Sequence, residues 1–147
     1  MSSDTDVPDA GDTVDGDVPD DVARVRTALV AYGVAFEAYD AHAVTTHFAV
    51  PALLVRDGIP TTLDTRADVL DSVERLLDLH RAWAVETARV AALTVIESAP
   101  AHVIARVDWR LGRRASRVRW TYTTTYVLVP DGDALLIAAA MTHDAPF

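Results

Sequence analysis

The chain contains no cysteine and no lysine. The first absence excludes a disulfide framework and a thiol nucleophile. The second excludes Schiff-base chemistry on a lysine amine. All 13 basic side chains are therefore arginines, and none precedes Arg24. Eight aspartates fall within the first 21 residues, so the formal net charge of −9 belongs mostly to that end. The remaining 14 acidic residues face 13 arginines. No broad basic field is left to attract nucleic acid, and no nucleic-acid partner is expected. Long apolar runs are also missing. The longest, ALLIAAAM (Ala134–Met141), is far short of the ~20 residues a membrane helix needs. No basic-then-apolar leader opens the chain, so the expected location is cytoplasmic, with no membrane partner. No Gly-rich phosphate loop, nucleophile elbow or HExxH cluster occurs, and neither a metal nor a cofactor is expected.

What is present is ample apolar material. Half of the 147 residues are hydrophobic, enough for one domain with a single core. Residues 1–19, rich in Asp, Gly and Pro, are expected to form a disordered acidic tail, and residues 20–147 the domain. Asp20 or Asp21 is the expected cap of a first helix. Its buried stripe is Val22, Val25, Leu29, Tyr32, Phe36 and Tyr39, at steps of three and four. Gly33 lies inside this helix, which close packing against a neighbour would explain. Asp40–Phe48 reads as a short second helix with Val44 and Phe48 inward. Asp57-Gly58 marks a hairpin turn. Thr65–Asp68 resembles a capping box that opens a third helix, with Val69, Leu70, Val73, Leu76 and Leu77 buried.

Strands follow at about Ala88–Glu97, His102–Leu111, Val118–Val129 and Leu135–His143, with turns at Gly112 and at Asp131-Gly132. The order argues for an α+β fold, with three N-terminal helices packed against a mostly antiparallel sheet. In the third of these strands Trp120, Tyr122, Thr124, Tyr126 and Leu128 share one face. A small hydroxyl, Thr124, therefore sits in a row of large groups.

This order of elements resembles the nuclear transport factor 2-like superfamily, which includes SnoaL-like polyketide cyclases and ketosteroid isomerases. The resemblance is carried by YGVAFEAYDAHAVTTHFA, TRADVLDSVERLL and TTTYVLVPDGDALLIAAAMTHD, and it covers roughly Val22 to Asp144. It implies a cone-shaped fold, in which a strongly curved sheet wraps the helices around an apolar pocket. Compared with ketosteroid isomerases, Tyr32 falls at the oxyanion-hole tyrosine and Thr124 at the protonated aspartate. Arg56 falls at the general base, with Asp57 one residue away. The tyrosine matches and both acids are replaced. A second comparison, with limonene-epoxide hydrolases, rests on the pair Arg106 and Asp108 of ARVDW, and the third acid falls near Thr142.

Alternation in the strand His102–Leu111 buries Val103, Ala105, Val107, Trp109 and Leu111 and exposes Arg106 and Asp108. The ungapped epoxide-hydrolase comparison argues the reverse. His143, in phase with Ile137, Ala139 and Met141, is a candidate acid-base at a pocket mouth, set against a solvent-facing strand end. Candidate catalytic residues are Tyr32, His143 and Asp57. Expected ligand-binding residues are Phe36, Phe48, Val55, Trp83, Trp120, Tyr122, Thr124, Tyr126 and Met141. The arginines of RLGRRASRVR read as a solvated hairpin tip. The expected function is binding of a hydrophobic small molecule. The alternative is a cofactor-free isomerase, cyclase or dehydratase using Tyr32 and His143, and a third option is an interaction module. A carboxylate inside the cone would favour the enzyme. A homodimer is expected through the outer sheet face of Thr121, Thr123, Thr125, Val127 and Val129.

Overall fold

Four of the six stripe residues expected in the first helix are buried, while Val22 is half-buried and Tyr39 lies past the helix end at Glu37. Val25, Leu29, Tyr32, Ala35 and Phe36 are all within the core of the computed structural model. The structure describes the backbone of residues 6–146 and the side chains of residues 20–146. The expected tail, residues 1–19, lies outside the described residues for 1–5 and for every side chain before Asp20. Helix α1 spans Asp6–Glu37, so it does not begin at the expected aspartate cap. Once a turn is formed, each further residue adds a hydrogen bond at low entropic cost, so a cap-like residue need not mark the start. Asp21 is instead buried against a strand, where it accepts a hydrogen bond from Ser98 Oγ.

Gly33 has the expected reason. A Cβ built there would lie 2.7 Å from the Ala88 carbonyl oxygen and 3.2 Å from the Trp109 ring. The end of α1 is then tied to the same strand, because Glu37 accepts from the Ala88 N–H at 2.8 Å and from Arg89 Nε at 2.7 Å.

Helix α2 is shorter than expected, Ala41–Thr45, with Asp40 as its cap. Phe48 opens strand β1 (Phe48–Arg56) rather than closing the helix, yet Val44 and Phe48 both point inward. Strand β2 (Ile59–Leu63) returns through Asp57-Gly58, both at positive φ (52° and 78°), the pair of conformations that suits a two-residue hairpin. Helix α3 (Arg66–Ala82) follows, so two helices precede this hairpin and the third comes after it. Thr65 and Asp68 complete the capping box reciprocally.

Strands β3 (Thr87–Ala99), β4 (His102–Gly112), β5 (Arg119–Asp131) and β6 (Ala134–His143) form the meander. The six-stranded sheet has the order β2-β1-β6-β5-β4-β3, and only β1 and β6 pair in parallel. Register shifts in β1/β6, β3/β4 and β5/β6 bend it around α1 and α3. In β4 the alternation rule holds: Val103, Ala105, Val107, Trp109 and Leu111 are buried. Arg106 and Asp108 face out, and Thr123 Oγ1 donates to Asp108 at 2.8 Å.

Candidate functional site

A cavity of about 120 Å³ lies between the concave sheet face and the helices. Its buried end is aromatic. The Tyr32 ring meets Phe36 edge-on at 4.9 Å, Phe48 at 5.9 Å and Tyr126 at 6.4 Å. Trp109 Nε1 donates to the Tyr126 hydroxyl at 2.9 Å, which fixes both rings. Leu63, Val69 and Val73 close the apolar wall from β2 and α3. Hydroxyls gather on β5 and β6, where Thr124 Oγ1 and Thr142 Oγ1 are 3.0 Å apart across the register pair Thr124↔Thr142. Beside them the half-exposed Arg56, Ser72, Tyr122 and Thr142 make the opening.

Burial sets the protonation of this wall. It pushes the Tyr32, Tyr122 and Tyr126 hydroxyls above their ordinary range, so all three are neutral donors at physiological pH. For Tyr122 the Arg56 charge partly opposes that shift. His80, buried on α3 with its ring 5.1 Å from that of Phe36, is pushed down to about 4 by desolvation and is an uncharged imidazole at neutral pH. Among the described residues no Asp or Glu lines the cavity, and Arg56 is the one permanent charge on its wall. Among the described residues, no group of three His, Asp or Glu side chains could hold a metal ion. Chemically, the site offers an apolar body, several neutral hydroxyls and one guanidinium.

The structure brings together Tyr32, Phe36, Phe48, Val55, Tyr122, Thr124 and Tyr126 of the expected residues. It leaves out five. His143 and Met141 face outward, contrary to the phase read from the sequence. The register passes from Leu128↔Ile137 to Val127↔Ala139, which leaves Ala138 as an extra residue in β6. This bulge inverts the strand beyond it, so Ala140 and Thr142 face the cavity while Met141 is 43% exposed. Asp57 is exposed in the left-handed turn and does not reach the cavity. Trp83 and Trp120 pair with each other, ring centroids 5.4 Å apart, against the core but outside the cavity lining, with the Arg113 guanidinium over Trp120. Trp83 is held there because Arg113 donates to its carbonyl at 2.7 Å and 3.2 Å.

Sequence reasoning missed His80, Ser72 and Thr142 as wall residues. For His80 a signal existed, since it continues the α3 stripe three residues beyond Leu77.

A family model described as NTF2-like protein (DUF6841) matches residues 20–145. No curated protein matches the chain in sequence. Solved structures match in fold. A protein with a cystatin-like fold from Nostoc punctiforme aligns at TM-score 0.68 and 7% identity, over 84% of this chain and 90% of that one. An NTF2-like protein with a cystatin-like fold from Novosphingobium aromaticivorans aligns at TM-score 0.66 and 14% identity, over 97% and 90%. An NTF-2 like protein from Shewanella oneidensis aligns at TM-score 0.59 and 12% identity, over 83% and 98%. No helix among the described residues is long and apolar enough to cross a membrane.

Proposed function

The chain belongs to the NTF2-like family DUF6841, and from the cavity at the centre of its fold we propose that it binds a small, largely apolar molecule. The observation that carries this reading is the wall. It is aromatic and aliphatic with a few convergent hydroxyls, the usual form of a small-molecule site, and among the described residues it has no carboxylate to act as a base. Size narrows the class. The cavity, at about 120 Å³, is below the ~300 Å³ at which drug-sized sites begin and close to the ~150 Å³ cavity that accepts benzene. A ligand with one ring, or an aliphatic body of that size, fits; a fused polycycle does not.

The test is Thr124→Leu combined with titration of a neutral one-ring probe such as benzyl alcohol. The native chain is expected to bind the probe and the variant to lose it. The stability loss should stay below about 1 kcal/mol, because the larger side chain enters free space. In a filled core the same change would overpack and cost ~1–3 kcal/mol. No binding by the native chain together with strong destabilisation of the variant would reject the cavity as a ligand site.

We also propose that the outer sheet face joins two copies of the chain. Val127 sits on that face between Ile104 and Ala139 in register, an uncharged row of half-buried residues. Arg106 and Asp108 stand beside it with opposite charges, so a two-fold axis would set each against its opposite on the other copy. Sedimentation of the native chain at micromolar concentration should give a dimer, and Val127→Arg a monomer. Val127 is preferred to Thr123 for this change, because Asp108 would neutralise an arginine at 123. A native monomer would refute the interface.

A further inference from the structure

Arg56 is an unusual component of this wall. It ends β1 one residue before the Asp57-Gly58 turn, and the hairpin signal alone does not say which way it points. In the structure it lines the cavity with Leu54, in register with Thr142 of β6. Thr142 is in turn in register with Thr124. A guanidinium and two hydroxyls therefore follow one another across three adjacent strands. Ser72 of α3 lines the same half-exposed end. Arg56 takes part in none of the ion pairs found among the described residues.

This placement has a physical consequence. An arginine is charged at every accessible pH. A cation facing a low-dielectric space, with no acidic side chain among the described residues of the surrounding wall, favours an anion there more strongly than a surface arginine does. The deeper wall is apolar, so the anion has to be attached to an apolar body. The carboxylate is the anion that matches the planar fork of arginine in two parallel hydrogen bonds. Its compact size also suits the opening better than a bulkier group, given the cavity volume of about 120 Å³.

Resting on the binding role argued above, we propose that the ligand is a small organic acid with one ring or an equivalent apolar body. The body lies against Phe36, Phe48 and Trp109. The carboxylate meets Arg56 at the opening, where the hydroxyls of Thr142 and Ser72 serve as additional donors.

The experiment compares benzoate with benzyl alcohol by calorimetric titration at fixed ionic strength. The chains titrated are the native protein, Arg56→Met, Arg56→Lys and Thr124→Leu. The native chain is expected to bind benzoate at least about tenfold more tightly than benzyl alcohol, the scale of one good charge-assisted contact. Arg56→Met should erase that preference, bringing the affinities for the two probes to within about twofold of each other. Arg56→Lys should keep part of it, because charge survives and the fork does not. Thr124→Leu should abolish binding of both probes.

Equal affinity of the native chain for the two probes would overturn the carboxylate assignment while leaving the apolar site intact. So would a preference that survives Arg56→Met. Benzoate binding that persists in Thr124→Leu would place the acid elsewhere, for example at the arginine-rich β4–β5 hairpin, and would also overturn it. Failure of both probes on the native chain would remove the binding role itself. The comparison of probes on the native chain needs no variant, so it decides the question even if Arg56→Met does not fold.

Discussion

Lowering the pH from 7 to about 4.5 is expected to cost the folded protein on the order of 2–3 kcal/mol at a single residue, His80. Burial holds its folded pKa at about 4, against 6.5 for an unperturbed histidine. Between those values the unfolded chain takes up a proton that the folded chain refuses. Stability therefore rises with pH across this window. The penalty is absent above about pH 6.5, grows as pH falls, and is complete near pH 4. A shift of this size corresponds to about 3 kcal/mol at ~1.4 kcal/mol per unit. His47, half-buried and also shifted down by desolvation, adds in the same direction. Urea unfolding at several pH values, compared between the native chain and His80→Gln, isolates the His80 share. Carboxylates contribute equally to both chains and cancel in the difference. The variant should have a distinctly flatter profile between pH 4.5 and 6.5. Parallel profiles would mean that His80 is protonated in the folded state without penalty.

Gly33→Val is expected to be similarly severe, about 3 kcal/mol, at the top of the overpacking range. Two effects oppose each other at this position. Leaving glycine removes a helix penalty of up to ~1 kcal/mol. Against that, any side chain there meets the Ala88 carbonyl at 2.7 Å from its Cβ, and this is backbone held in the β3/β4 ladder and by Glu37. A flexible side chain could move aside, but a strand carbonyl cannot do so cheaply. On the other side the Trp109 ring is pinned by its bond to Tyr126. The clash wins, and the two γ carbons of valine enlarge it. The thermal midpoint should fall by roughly 10 °C for a chain of this size. A midpoint equal to or above the native one would show that α1 can separate from the sheet at no cost.

The two predictions also indicate where the sequence was legible. Gly33 could be read because a glycine inside a strong apolar stripe contradicts helix propensity, and close packing is the usual resolution. The strands could be read wherever side chains alternate in character, as in β4, where valine and tryptophan alternate with arginine and aspartate. Legibility failed where residues do not differ. Ala138, Ala139 and Ala140 carry no inside-or-outside signal, so nothing marked the bulge that turns His143 and Met141 away. The run ALLVR is similarly uniform before its last residue, which left the direction of Arg56 undetermined. His80 continues the period of the α3 stripe, but a histidine among leucines and valines carries no apolar signal of its own. The α+β arrangement was thus readable from periodicity and order, and the curvature of the sheet was implied by the family resemblance. The identity of the cavity wall was not, since it depends on strand phase toward the ends of β1 and β6, two interior strands of the sheet.

The extra residue in β6 gives the cavity an unusual route to change. The composition of its wall beyond Ile137 depends on a parity set by one alanine. Taking that alanine into the ladder, opposite Val127, would slip the strand by one residue and turn Met141 and His143 to the cavity face in place of Ala140 and Thr142. A titratable imidazole would then stand beside Arg56 in place of a hydroxyl, within the same apolar chamber. Chains built on this sheet could pass between a receptor-like and an acid-base-equipped interior by a one-residue slip of a single strand.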